Sequence, residues 1–223
     1  MSRPFFSSPL ASSWGLGFVL RRFFTVDEKT FSLLSDTDRH AFQVGHLVRT
    51  WAFAEGALDL SCVVVFHHLS GSERPDELPR ALNRKLSFLR TCLLTMSDDI
   101  PLSRHGVDVV DCTAEASDFR HLCVHGLPLD DASDFVVQIF KRLPTDLLAV
   151  EKRVTTADIA KSQVQATMIL MGMVCILLRL CDRAQIVGQS EQFLQLPADL
   201  HQHQNSTKLA KRLFSSLQKL GAA

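Results

Sequence analysis

Between about Asp36 and Leu69, apolar residues recur at Leu47, Trp51, Ala54, Leu58, Cys62 and Val65. Steps of three and four keep them on one side of a helix, so the spacing predicts a long amphipathic helix with one face to bury. Such a face needs partners of its own kind, and the chain supplies several. After the breaker SGSERPDE, the stripe Leu78, Leu82, Leu86, Leu89 and Leu93 predicts a second helix from about Asp76 to Met96. Pro101 and Gly106 leave the next segment ambiguous. A third helix is expected by about Asp111, with Phe119, Leu122 and Cys123 on its apolar face and Gly126 and Pro128 as its stop. A fourth starts at Thr155, a hydroxyl cap with Asp158 in the first turn, and runs to about Asp182. Its centre, Ala166 to Leu178, reads as too short to span a bilayer and as a buried core helix instead, bracketed by Gln163, Gln165 and Arg179.

The period changes once. FVVQIFKR and LLAVEKRV are β-rich runs separated by the turn-forming LPTD, so a small hairpin is expected at about 135–154. A short basic helix is expected last, over about 206–220, apolar at Leu209, Leu213, Leu217 and Leu220. The expected fold is therefore mainly α: an up-and-down bundle of about four long helices with a β-hairpin after the third. The expected organisation is a loosely ordered arm at 1–26, the bundle at 27–200 and the basic helix at 201–223.

The 223 residues carry no formal net charge, so total charge points to no polyanionic partner, but the distribution is uneven. Arg3, Arg21 and Arg22 precede any acid, and Lys208, Lys211, Arg212 and Lys219 follow the last one. Removing those seven positive charges from a neutral total leaves 27–199 at −7. A basic tail on an acidic body could touch nucleic acid or an acidic partner; a solvated helix face is the plainer reading. Cysteines 62, 92, 112, 123, 175 and 181 form no C-x-x-C and no zinc-finger spacing. With no convincing secretory signal ahead of them, they read as reduced thiols in a cytoplasmic protein with no membrane segment.

Chemistry concentrates in one place, DFRHLCVHGLP, from Asp118 to Pro128. Arg120 and His125 stand five positions apart, which puts them ~140° apart around a helix and ~7.5 Å along it. An arginine is long enough to swing toward the helix end where His125 sits. His121 and His125, four apart, share a face. A histidine near neutral pKa can take or give a proton, and a guanidinium is a fixed fork for phosphate oxygens. Together they suit metal-free RNA cleavage, with histidine handling protons at the ribose 2′-hydroxyl or the leaving oxygen. Arginine would then stabilise charge on a phosphorane-like transition state. Glu55, four after Trp51 and three before Leu58, lies close to the first helix's stripe, where a carboxylate needs a partner. Arg120 is the natural one; the alternative is that Glu55 reaches water.

The run Arg120-His121-Leu122-Cys123-Val124-His125 resembles the R-x4-H signature of the HEPN superfamily (higher eukaryotes and prokaryotes nucleotide-binding). The helix-terminal position, the following Gly126 and a bundle with the motif late in its third helix fit that resemblance over roughly 36–182. It implies a helical bundle that often dimerises, with two motifs facing one cleft. It also implies a metal-independent endoribonuclease of a toxin–antitoxin, phage-defence or RNA-processing kind, without cofactor. In that reading Arg120 and His125 carry the chemistry, His121 tunes it or contacts RNA, and Glu55 supports Arg120. The expected partners are RNA, an antitoxin or other protein, and a second copy of the chain.

Other readings stay open beside it. A non-catalytic helical interaction module would keep the bundle and use His125 to cap helix carbonyls. His121 and His125 have zinc-pair spacing, but Cys123 lies on another face and no glutamate follows His121, so no metal site is expected. His67, His68, His201 and His203 read as exposed. No G-x-S-x-G or phosphate-binding glycine loop supports a hydrolase or nucleotide site. Arg104-His105 resembles the later pair but has Val109 where the second histidine would stand.

Overall fold

The computed structural model describes residues 32–69, 76–125, 127–128, 135–142, 147–186 and 205–221. The expected N-terminal arm, Gly126, His201, His203 and the His125 side chain lie outside the described set.

The chain is mainly helical. Helix α1 spans Asp36–Val64 and opens on Ser35, whose Oγ accepts a hydrogen bond from Asp38 N at 3.1 Å. It runs directly into a π-helical turn, Val65–Leu69. Helix α2 spans Leu82–Thr95, later than the stripe suggested. Pro79 explains the difference, because it disfavours helical backbone in the residue before it. Leu78 therefore stays ahead of the helix, though still packed on the core. Helix α3, Val107–His125, starts earlier than Asp111 because a π-helical stretch, Pro101–Gly106, feeds straight into it. Asp99 Oδ1 accepts from Leu102 N at 3.0 Å and so holds that entry.

Strand β1, Leu127–Pro128, pairs antiparallel with β2, Phe135–Arg142, which pairs antiparallel with β3, Leu147–Val154. The β2–β3 register runs from Phe135 opposite Val154 to Arg142 opposite Leu147. The residues that join these two strands lie outside the described set.

Helix α4 spans Thr156–Arg183 and starts with a reciprocal cap. Thr155 Oγ1 accepts from Asp158 N at 3.1 Å, and Asp158 Oδ2 accepts from Thr155 N at 3.0 Å. Those bonds hold the Asp158 carboxyl below its ordinary pKa. Gln185, with φ 55°, ends α4, and Ile186 N donates back to Cys181 O at 3.0 Å. Helix α5, Lys208–Gly221, buries Ala210, Leu213, Phe214, Leu217 and Leu220.

One core joins these helices. Leu47, Trp51 and Leu58 of α1, Leu89 and Leu93 of α2, Val109 and Leu122 of α3, and Met168, Ile169 and Ile176 of α4 are all buried in it. Helix α4 lies along α1 and also contacts α3 and α5. Gln163 on α4 and His46 on α1 make a polar contact at 2.6 Å between their side-chain nitrogens. Gly172 marks a close approach of α4 to α3: a Cβ there would come within 2.6 Å of Val109 Cγ1.

Among the described residues, two helical stretches, 38–69 and 156–183, are long and apolar enough to cross a membrane by length and composition. The second exceeds the short span read from its apolar centre, because helical backbone continues through Gln163 and Arg179 to Arg183. The most apolar windows of the two are 44% and 61% buried inside the fold.

Candidate functional site

Helices α1 and α3 meet along a seam, and Ala54, Ala57 and Ala116 are buried in the core they share. Glu55 follows Ala54 and Arg120 follows Ala116 by four residues, so both stand at the edge of that seam. Arg120 Nη2 lies 2.9 Å from Glu55 Oε1, with both side chains about three-quarters buried (25% and 28% exposed). Glu55 therefore meets a cation, while about a quarter of its side chain stays open to water.

The contact is close but poorly aligned. Glu55 Oε1 and Arg120 Nε are shut off from solvent, and neither makes a well-directed hydrogen bond. Coulomb attraction depends on separation far more than on angle, so the short distance outweighs the poor alignment. The guanidinium is thus anchored electrostatically, while its remaining N–H capacity is incompletely used.

Around this pair, Phe119 packs on the core and Leu122 is buried, which fixes the rotation of the last turns of α3. His121 is exposed. The backbone stays helical through His125, so the second motif histidine occupies the C-terminal end of α3. Cys123 is half-buried, and burial pushes its thiol up to about 11. Lys152 on β3 acts in the opposite direction on the same thiol, so a strand cation lies near the end of α3. The sequence reading missed Lys152; the β-rich run around it gave no indication of which helix end the sheet would meet.

The other titratable groups do different work. Cys62 and Cys112 are pushed up to about 12 by burial and are inert thiols in the core. Among the described residues, no group of three or more His, Cys, Asp or Glu side chains is placed to hold a metal ion. His67 and His68 are exposed. Part of the basic charge of α5 is used internally: Arg212 Nη1 bonds Glu115 Oε1 of α3 at 2.6 Å. A groove of about 630 Å³ lies between the end of α1 and the start of α2, lined by Asp59, Phe66, Glu77 and Lys85 among others; it includes no residue of the 118–125 segment.

Comparisons with known protein families, with curated proteins and with solved structures each return no match.

Proposed function

We propose that this chain is a HEPN-like protein whose four long helices form an up-and-down bundle, with a β-hairpin after the third, and that it cleaves RNA without metal. The observation that carries the reading is the Glu55–Arg120 contact. A motif arginine with only a surface role would extend into water; this one is drawn into a seam and held by a carboxylate, five residues before His125. In the proposed step, His125 takes the proton of a ribose 2′-hydroxyl, and the 2′-oxygen attacks the adjacent phosphorus. The bond from phosphorus to the 5′-oxygen breaks; that oxygen takes a proton from water, and His125 returns its own to solvent. The products are a 2′,3′-cyclic phosphate and a 5′-hydroxyl. Arg120 balances charge on the pentavalent phosphorus, Glu55 holds Arg120 in place, and His121 and Lys152 face the RNA backbone. Its six unpaired cysteines suit a reducing, cytoplasmic setting for this activity. An antitoxin or another protein would control it.

The test is cleavage of a mixed RNA pool in EDTA by wild type, Arg120→Ala and His125→Ala, each checked for folding by circular dichroism. EDTA-resistant cleavage lost in both variants is the expected result. Equal cleavage by all three, or by none, overturns the proposal. One observation favours a second reading, a non-catalytic interaction module: α1 presents an outward face almost without charge, which suits a binding surface whether or not the motif is active.

A further inference from the structure

The sheet carries an inference independent of RNA cleavage. Strand order is β1-β2-β3, so β2 occupies one edge of β3, and among the described residues no strand occupies the other. Strand β1 is two residues long and pairs only with Val137 and Gln138 of β2. For most of its length the sheet is therefore a two-stranded ribbon, a form that is marginal in water unless a packed face or a further strand supports it. The ribbon meets the helical body where β2 touches α3 and where Val154 enters the core. Along the rest of β3 both faces meet solvent: Leu148, Ala149, Glu151, Lys152 and Arg153 are exposed, and Val150 is half-buried.

We propose that the open edge of β3 takes an extended segment of a partner protein, which adds an antiparallel strand along 148–153. Backbone chemistry selects a strand. Every second residue of an antiparallel edge turns its N–H and C=O outward, so this stretch of ~20 Å offers about three of each, in the alternation that another strand presents. Among the described residues, no backbone hydrogen bond outside the β2–β3 pairing involves 148–153. Side chains select the segment's sequence. Leu148, Ala149 and Val150 make one half of the edge uncharged, with Leu148 48% exposed. Glu151, Lys152 and Arg153 make the other half charged, two positive against one negative. An edge guarded against pairing carries charge or a bulge along its length; here the charges guard one half and leave the other open. Antiparallel pairing then fixes the order of the incoming segment. Acidic residues come first, level with Arg153 and Lys152, then a base level with Glu151. Residues that favour strands come last, level with Val150 to Leu148.

The probe is the peptide Glu-Glu-Lys-Val-Thr-Val, flanked by serines and blocked at both ends. It is titrated to about 1 mM into the isotope-labelled full chain, with backbone amide shifts followed by NMR. Two further versions carry N-methyl groups on alternate residues, one version for each edge of the peptide strand. The expected result is saturable shifts confined to 147–154 and the facing residues of β2, half-saturated below about 1 mM. One N-methylated version should bind like the parent and the other should not bind, because an added strand uses one of its edges and the side chains are the same in both. Arg153→Glu, checked for an otherwise unchanged amide spectrum, should weaken the parent peptide about fivefold. Absence of binding up to that concentration overturns the proposal, as do shifts centred outside the sheet. Equal binding by the two N-methylated versions overturns it too, since side chains alone would then be holding the peptide, and so does unchanged affinity in Arg153→Glu. Broadening at β3 that grows with protein concentration without peptide overturns it in favour of a second copy on this edge. No readout involves RNA, so failure of this inference and failure of the cleavage reading are separate results.

Discussion

Glu55 shows how far single residues can be read from sequence. Its spacing from Trp51 and Leu58 places a carboxylate at the rim of an apolar stripe, and Arg120 occupies the matching rim on α3. The resulting contact at 2.9 Å joins residues 65 positions apart. Removing Glu55 leaves a largely buried guanidinium without its counter-charge, so Glu55→Ala should destabilise the fold by about 1–3 kcal/mol, the upper part of the range reduced by the quarter of each side chain that water still reaches. Urea unfolding measures it, and Glu55→Gln should cost less. Other residues were opaque in the sequence. Nothing in the spacing of His46 and Gln163 signals their contact, because it depends on the relative height of α1 and α4. His105 is another case. Burial, then the nearby Lys219, holds its pKa below the ordinary value, while Asp108 acts in the opposite direction. The folded chain then binds fewer protons than the unfolded one. Its contribution to stability is complete above about pH 6.5 and is lost as pH falls below that value. His40, lowered by burial, adds in the same direction. The urea midpoint should drop between pH 7 and pH 5.5, and by less in His105→Gln.

At the scale of elements, periodicity located the helices and chemistry located their ends only where a side chain makes the cap. The Thr155–Asp158 box was legible because both partners are local. The start of α2 was misplaced because the leucine stripe continues through Leu78 although Pro79 breaks the backbone conformation. The start of α3 was misplaced because π-helical turns have no distinct apolar period. Packing between elements was the least legible. Gly172 and Gly56 look alike in the sequence, as glycines within helices, yet their surroundings are opposite. Gly56→Ala should stabilise the monomer by about 0.5–1 kcal/mol through helix propensity alone. Gly172→Ala meets the stiff, branched Val109 side chain at 2.6 Å and should destabilise by about 1–3 kcal/mol in spite of the same propensity gain. Thermal melts of the two variants test the contrast, and Val109→Ala should relieve part of the Gly172→Ala loss.

For the whole molecule, the core of α1, α2, α3 and α4 sets the motif arginine in a seam and brings a sheet, with Lys152, to the same end of α3. The helical class was legible from apolar spacing, whereas the meeting of sheet and helix end depends on tertiary packing that no local pattern encodes. The central claim is that this end of α3 performs transesterification at a ribose 2′-hydroxyl, with Arg120 and His125 as the reacting groups. It is tested most directly by matched oligonucleotides cut by the wild-type protein in EDTA, one all-ribose and one carrying 2′-deoxyribose at the cleaved position, with end groups identified by mass spectrometry. The account predicts a 2′,3′-cyclic phosphate and a 5′-hydroxyl from the first and no cleavage at that position of the second. Cleavage of both at the same rate would contradict it.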